Sequence, residues 1–169
     1  MRNYSNGKKD KFINSFPTES LENGTCNISD RCKFNFSFFD CSQEAGQDFK
    51  DWTMQEICKL LKKLIEYSKM SLKHWETVAI GSGKHKRSVY VSYGNFPRKT
   101  DFYFPKHIPY QAIWGRFRLE QSVRLVGFTI PSEFNETKSN NKKTEYKFDC
   151  NTFYIVFLDK NHRFYKMDK

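Results

Sequence analysis

The hydrophobic rhythm of the chain changes period as it is read. In KFNFSFFD, Lys33 to Asp40, Phe34, Phe36 and Phe38 alternate with Asn35 and Ser37, the period of two that marks a half-buried strand. From Gln47 to Met70 the period lengthens. Phe49, Trp52, Ile57, Leu60, Leu61, Leu64, Ile65 and Ser68 fall on one helical stripe, with Lys59, Lys62, Lys63, Glu66 and Lys69 outside it. That predicts an amphipathic helix lying on a core. Thr53 followed three residues later by Glu56 has the form of a capping box and puts the start of the regular helix there. A second, shorter helix is predicted after Ser71, carrying Leu72, Trp75 and Val78.

The rest of the chain reads as strands. SVYVSYG, Ser88 to Gly94, is one; NFPRKTDFYFPKHIP after it is an irregular connection broken by Pro97, Pro105 and Pro109. IWGRFRLEQSVRLVGFTI, Ile113 to Ile130, reads as strand, turn at Glu120 to Ser122, strand. In the first strand Ile113, Phe117 and Leu119 share one face and Trp114, Arg116 and Arg118 the other; in the second, Arg124 interrupts an apolar run. The last stretch, FYIVFLDKNHRFYK, reads as a strand, a polar break at Asp159-Lys160-Asn161, and a second short strand. The order predicts an α+β fold: an antiparallel β-sheet with an N-terminal strand and two helices packed on one face. Residues 1 to 31 are polar throughout and read as a flexible arm, residues 32 to 169 as a single domain, and 131 to 149, rich in Asn and Lys, as a mobile loop within it.

Charge narrows the ligand class. Lys and Arg number 29 against 19 Asp and Glu, a formal net charge of +10, which draws polyanions before neutral metabolites. No apolar stretch is long enough to cross a bilayer and MRNYSNGKKDKF has no signal-like apolar run, so a cytoplasmic protein with no membrane partner is expected. Cys26, Cys32, Cys41, Cys58 and Cys150 form no CxxC pair; reduced thiols and no metal or small-molecule cofactor are expected. GSGKHKR, Gly81 to Arg87, fails as a phosphate loop, because Val78 stands where the first glycine belongs and His85 where a Ser or Thr would ligate magnesium. It reads as a basic turn able to touch a phosphate backbone.

The sheet face opposite the helices is where chemistry is expected. Arg116, Arg118 and Arg124 from neighbouring strands, with His162, Arg163 and Tyr165 from the last, can converge there, and a basic face with aromatic residues suits an RNA strand. The same groups suffice for RNA cleavage without metal. Imidazole takes or gives a proton near neutral pH, Arg and Lys stabilise the phosphorane, and Tyr orients or relays a proton. The bland reading of the same residues is a solvated outer face with a surface histidine.

RFRL and VRLVGF, with FYIVFLDKNHRFYK downstream, resemble the sheet of the RelE/ParE-type bacterial toxins over roughly residues 47 to 70 and 113 to 167. The resemblance implies a RelE-like fold and, in the RelE branch, an endoribonuclease that cleaves mRNA, often on the ribosome, to 2′,3′-cyclic phosphate ends, with an antitoxin protein as partner. It makes Arg118 and Arg124 phosphate-binding and transition-state residues, His162 or Lys160 the proton-transfer group, and Tyr165 the stacking or orienting phenol. Trp114, Arg116, Lys160, Arg163 and Lys166 complete the expected nucleic-acid-binding set. The ParE branch keeps the fold without the nuclease residues, so the alternative is a non-catalytic nucleic-acid- or protein-binding module of phage or bacterial origin.

Overall fold

A computed structural model describes residues 7–17, 27–81, 86–120, 122–136 and 148–166. Its centre is a five-stranded sheet of β1 (Lys33–Asn35), β4 (Tyr90–Gly94), β5 (Ile113–Glu120), β6 (Val123–Thr129) and β7 (Thr152–Asp159), in the order β1-β7-β6-β5-β4. The sheet is mixed, not wholly antiparallel as expected: β1 runs parallel to β7, while β4 to β7 pair antiparallel. A separate two-stranded ribbon joins β2 (Ala79–Ile80) to β3 (Arg87–Ser88). The interior of the GSGKHKR turn, residues 82–85, lies outside the described residues.

The expected first strand stops early. Asn35 Oδ1 accepts the Ser37 N–H at 2.8 Å and Phe39 N–H reaches Phe36 O at 3.0 Å, so local side-chain and turn bonds end the extended run after Asn35. Its phenylalanines consequently divide. Phe34 packs into the core beneath the helices, whereas Phe38 packs on the opposite side of the sheet. The Asp40 and Gln47 N–H groups then bond Val156 O and Leu158 O, so β7 has a partner along its far half as well.

Helix α2 (Met54–Tyr67) begins where the sequence places it, with Thr53 and Glu56 forming a reciprocal capping box. It is followed by α3 (Leu72–Thr77), capped by Ser71. Leu60, Leu64, Tyr67, Leu72 and Trp75 bury against Phe117, Leu119, Leu125, Phe153 and Ile155 of the sheet. The predicted stripe was too wide, because Leu61 and Ile65 are 52% and 64% exposed. Helix α1 (Gly7–Ile13), within the stretch read as a flexible arm, buries no residue; the rest of that arm at 1–6 and 18–26 is outside the described residues. The stretch 131–149 contains a short helix, α4 (Glu133–Glu136), and its residues 137–147 are likewise outside them.

The second face of the sheet is also largely covered. Phe102, Ile108 and Ala112 of the proline-broken connection join Ala45, Trp114, Val126, Phe128, Val156, Phe157 and Phe164 in a second apolar cluster. A bulge makes this possible. The β6–β7 register shifts between Val126 and Gly127, so that Val126 faces Phe157 and Gly127 faces Ile155. Val156 is thus the extra residue, and both Val156 and Phe157 reach the same cluster. Beyond the bulge the alternation is reversed, and Asp159 comes opposite Arg124.

The last residues are not a strand. Asp159, 1% exposed, accepts N–H bonds from Asn161 at 3.2 Å, Arg163 at 2.9 Å and Phe164 at 2.9 Å. One buried carboxylate thereby curls the chain back over the sheet instead of letting it pair as a hairpin. His162 takes a positive φ of 57° within this curl.

Candidate functional site

Where the second apolar cluster ends, a cleft opens. Arg87, Val91, Tyr93, Arg116, Arg118, Arg124, His162 and Tyr165 line a space of about 500 Å³. Strand register accounts for it: Val91 lies opposite Arg116, and Arg118 directly opposite Arg124. Side chains two apart on a strand share a face, so Trp114 sits under the cluster while Arg116 and Arg118 step out of it toward the β5–β6 turn. The sequence-derived set of Arg116, Arg118, Arg124, His162 and Tyr165 is brought together here.

The arginines are held differently. Arg116 is 7% exposed and donates from Nε to the Tyr93 hydroxyl at 3.0 Å, while its Nη1 is buried with no acceptor among the described residues. Arg124 is 6% exposed and its Nη1 donates to the Glu120 and Val123 carbonyls at 3.2 and 2.9 Å. Burial, then the positive fields of Arg116 and Arg118, bring its guanidinium down to about 10, still protonated at neutral pH. Like charges facing each other across two strands are destabilising, and the residues lining this cleft include no carboxylate. Asp159 lies beneath, alongside Arg116, Arg124, His162 and Tyr165.

His162 is half-buried. Burial and, next, the charge on Arg124 hold its imidazole below the ordinary histidine value, so it is neutral at physiological pH and able to accept a proton. The Tyr165 ring stacks on Tyr93 with centroids 4.7 Å apart and planes 8° from parallel. Burial also pushes the Tyr93 phenol up, keeping it protonated. Tyr93 thus braces both Arg116 and Tyr165. Sequence reading passed over it, although Val91 and Tyr93 alternate in SVYVSYG and share the face on which Val91 meets Arg116.

Four residues of the expected nucleic-acid set lie elsewhere. Trp114 is 1% exposed, stacked on Phe157 and Phe164, and presents no ring face to a base. Lys160 turns to the helix side, pairing with Glu56 at 2.9 Å and standing 4.9 Å over the Trp52 ring. Arg163 pairs with Asp101 at 2.9 Å and Lys166 bonds the same carboxylate. Their bonds, first that of Lys166, hold the Asp101 carboxyl below its usual range. With Asp101 N–H on Arg163 O and Lys166 N–H on Lys99 O, this pairing ties the tail that carries His162 and Tyr165 to residues 99–101.

Among the described residues there is no group of three or more His, Cys, Asp or Glu placed to hold a metal ion, and no helix long and apolar enough to cross a membrane. Set against protein families, curated proteins and solved structures, the chain matches none.

Proposed function

We propose that the cleft binds an RNA phosphate and cleaves the chain beside it, as a metal-independent endoribonuclease of the RelE type. The observation that carries this reading is the convergence, in one cleft without a lining carboxylate, of Arg116, Arg118 and Arg124 with a neutral, half-buried His162. In the proposed reaction His162 takes the proton of a ribose 2′-hydroxyl, and the resulting oxygen attacks the adjacent phosphorus. The arginines stabilise the charge that gathers on the non-bridging oxygens. The bond to the 5′-oxygen then breaks, and that oxygen takes a proton from the Tyr165 hydroxyl; water then takes up the proton held by His162 and returns one to the Tyr165 oxygen, restoring both groups. Atoms and protons balance without a metal or cofactor in any step. The products are a 2′,3′-cyclic phosphate and a 5′-hydroxyl.

The test is cleavage of labelled mRNA in EDTA, with and without translating ribosomes, by wild type, Arg124→Ala and His162→Ala. Fragments with 2′,3′-cyclic phosphate ends from wild type, reduced about 100-fold or more in His162→Ala, are expected. Retained RNA affinity with no fragments in either setting would leave a binding module in place of the enzyme.

A further inference from the structure

Helix α2 carries two apolar stripes, and only one is covered. Leu60, Leu64 and Tyr67 face the core. On the outer side Met54, Cys58, Leu61 and Ile65 are exposed, Met54 to 74%, Leu61 to 52% and Ile65 to 64%. Their spacing of four, three and four residues is that of a coiled-coil seam. It lies on the far side of the sheet from the arginine cleft, so the proposed reaction does not use it.

We propose that this seam is a docking surface for an acidic amphipathic helix of a partner protein. Charge selects the occupant. Lys62 is exposed beside the seam and Lys69 is exposed just past the end of α2, whereas the nearby Lys59 and Lys63 are already engaged, with Glu120 at 3.3 Å and Glu66 at 2.8 Å. Glutamates at the margins of an incoming helix would pair with Lys62 and Lys69, and the chain's net charge of +10 would steer it in. A second copy is disfavoured by charge. It brings the same net charge of +10 and the same lysines to the seam, so like charge opposes the pairing.

The test uses two labelled peptides of about three heptads, each with Leu at the seam positions, one with Glu and one with Lys at the flanks. Saturable binding of the Glu peptide is expected, weakened about tenfold or more by Leu61→Asp with Ile65→Asp. Lys62→Glu with Lys69→Glu should shift preference toward the Lys peptide. All four positions are on the surface, so circular dichroism should show the fold intact. Because the cleft is on the other face, bound peptide should leave the affinity for a non-cleavable 2′-O-methyl RNA unchanged, whatever becomes of the nuclease reading. No saturable binding of the Glu peptide, or binding indifferent to the seam substitutions, would overturn the proposal. So would self-association in sedimentation that the seam substitutions abolish, since it assigns the surface to a second copy.

Discussion

At the scale of the residue, His162 shows how environment sets a role that composition leaves open. An exposed histidine would be partly charged near neutrality; here burial and Arg124 depress the imidazole. In the proposed reaction its neutral form is the base, so cleavage should be constant above the usual value of 6.5 and fall only as pH drops through the lower pKa of the folded protein. Removing the second cause should move it: in Arg124→Ala the His162 titration, followed by the ring proton resonances, is expected to rise toward 6.5. Glu56 gives a stability counterpart. The Thr53 N–H, then Lys160, bring its carboxyl from 4.5 to about 2. A depressed acid stabilises the fold above its unfolded pKa and loses that contribution as pH falls through the folded one. Thermal stability should therefore fall from pH 4.5 toward about 2, and Glu56→Gln should flatten that window.

At the scale of the element, the curl after β7 positions the site, and two tests address it. Asp101→Asn weakens the tie of Arg163 and Lys166 to the connection. It should leave the fold intact but loosen His162 and Tyr165, lowering turnover by up to about 100-fold with little change in melting temperature. Gly127 lies at the bulge, where a Cβ would stand 2.0 Å from Tyr154 O. Backbone cannot yield there without breaking the β6–β7 pairing, so Gly127→Ala should cost about 3 kcal/mol or more, read from the denaturation midpoint. Elements with local signatures were legible in the sequence: the capping box of α2, the start of α3 after Ser71, the alternation of β5 and the apolar run of β6. The end of β1, the parallel pairing and the curl were not, because each depends on a local side-chain bond or a distant strand that period alone does not encode.

At the scale of the whole molecule, the helices and the cleft divide the two faces of one sheet. The gathering of Arg116, Arg118 and Arg124 followed from the alternation and pairing of β5 and β6 and was readable; His162 and Tyr165 reach the same cleft through the curl and not on a strand. The buried place of Trp114 was not, because the proline-broken connection, with no regular period of its own, covers half of the face on which alternation sets it. Lys160 and Arg163 were misplaced for a related reason: the β7 bulge and the curl rotate the tail away from a simple strand register.

The most direct test of the cleft as the seat of an RNA phosphate is affinity for a 2′-O-methyl single strand across a salt series, comparing wild type, Arg118→Ala and Lys62→Ala with Lys69→Ala. Each phosphate contact on a single strand contributes a slope of about −0.7 in log affinity against log salt. Four cleft arginines, one on the scissile phosphate and the others each on a neighbouring phosphate of the strand, predict a wild-type slope of about −3, reduced by about 0.7 in Arg118→Ala and unchanged in the lysine variant. A slope near zero, or one that follows Lys62 and Lys69 instead of Arg118, would contradict the account.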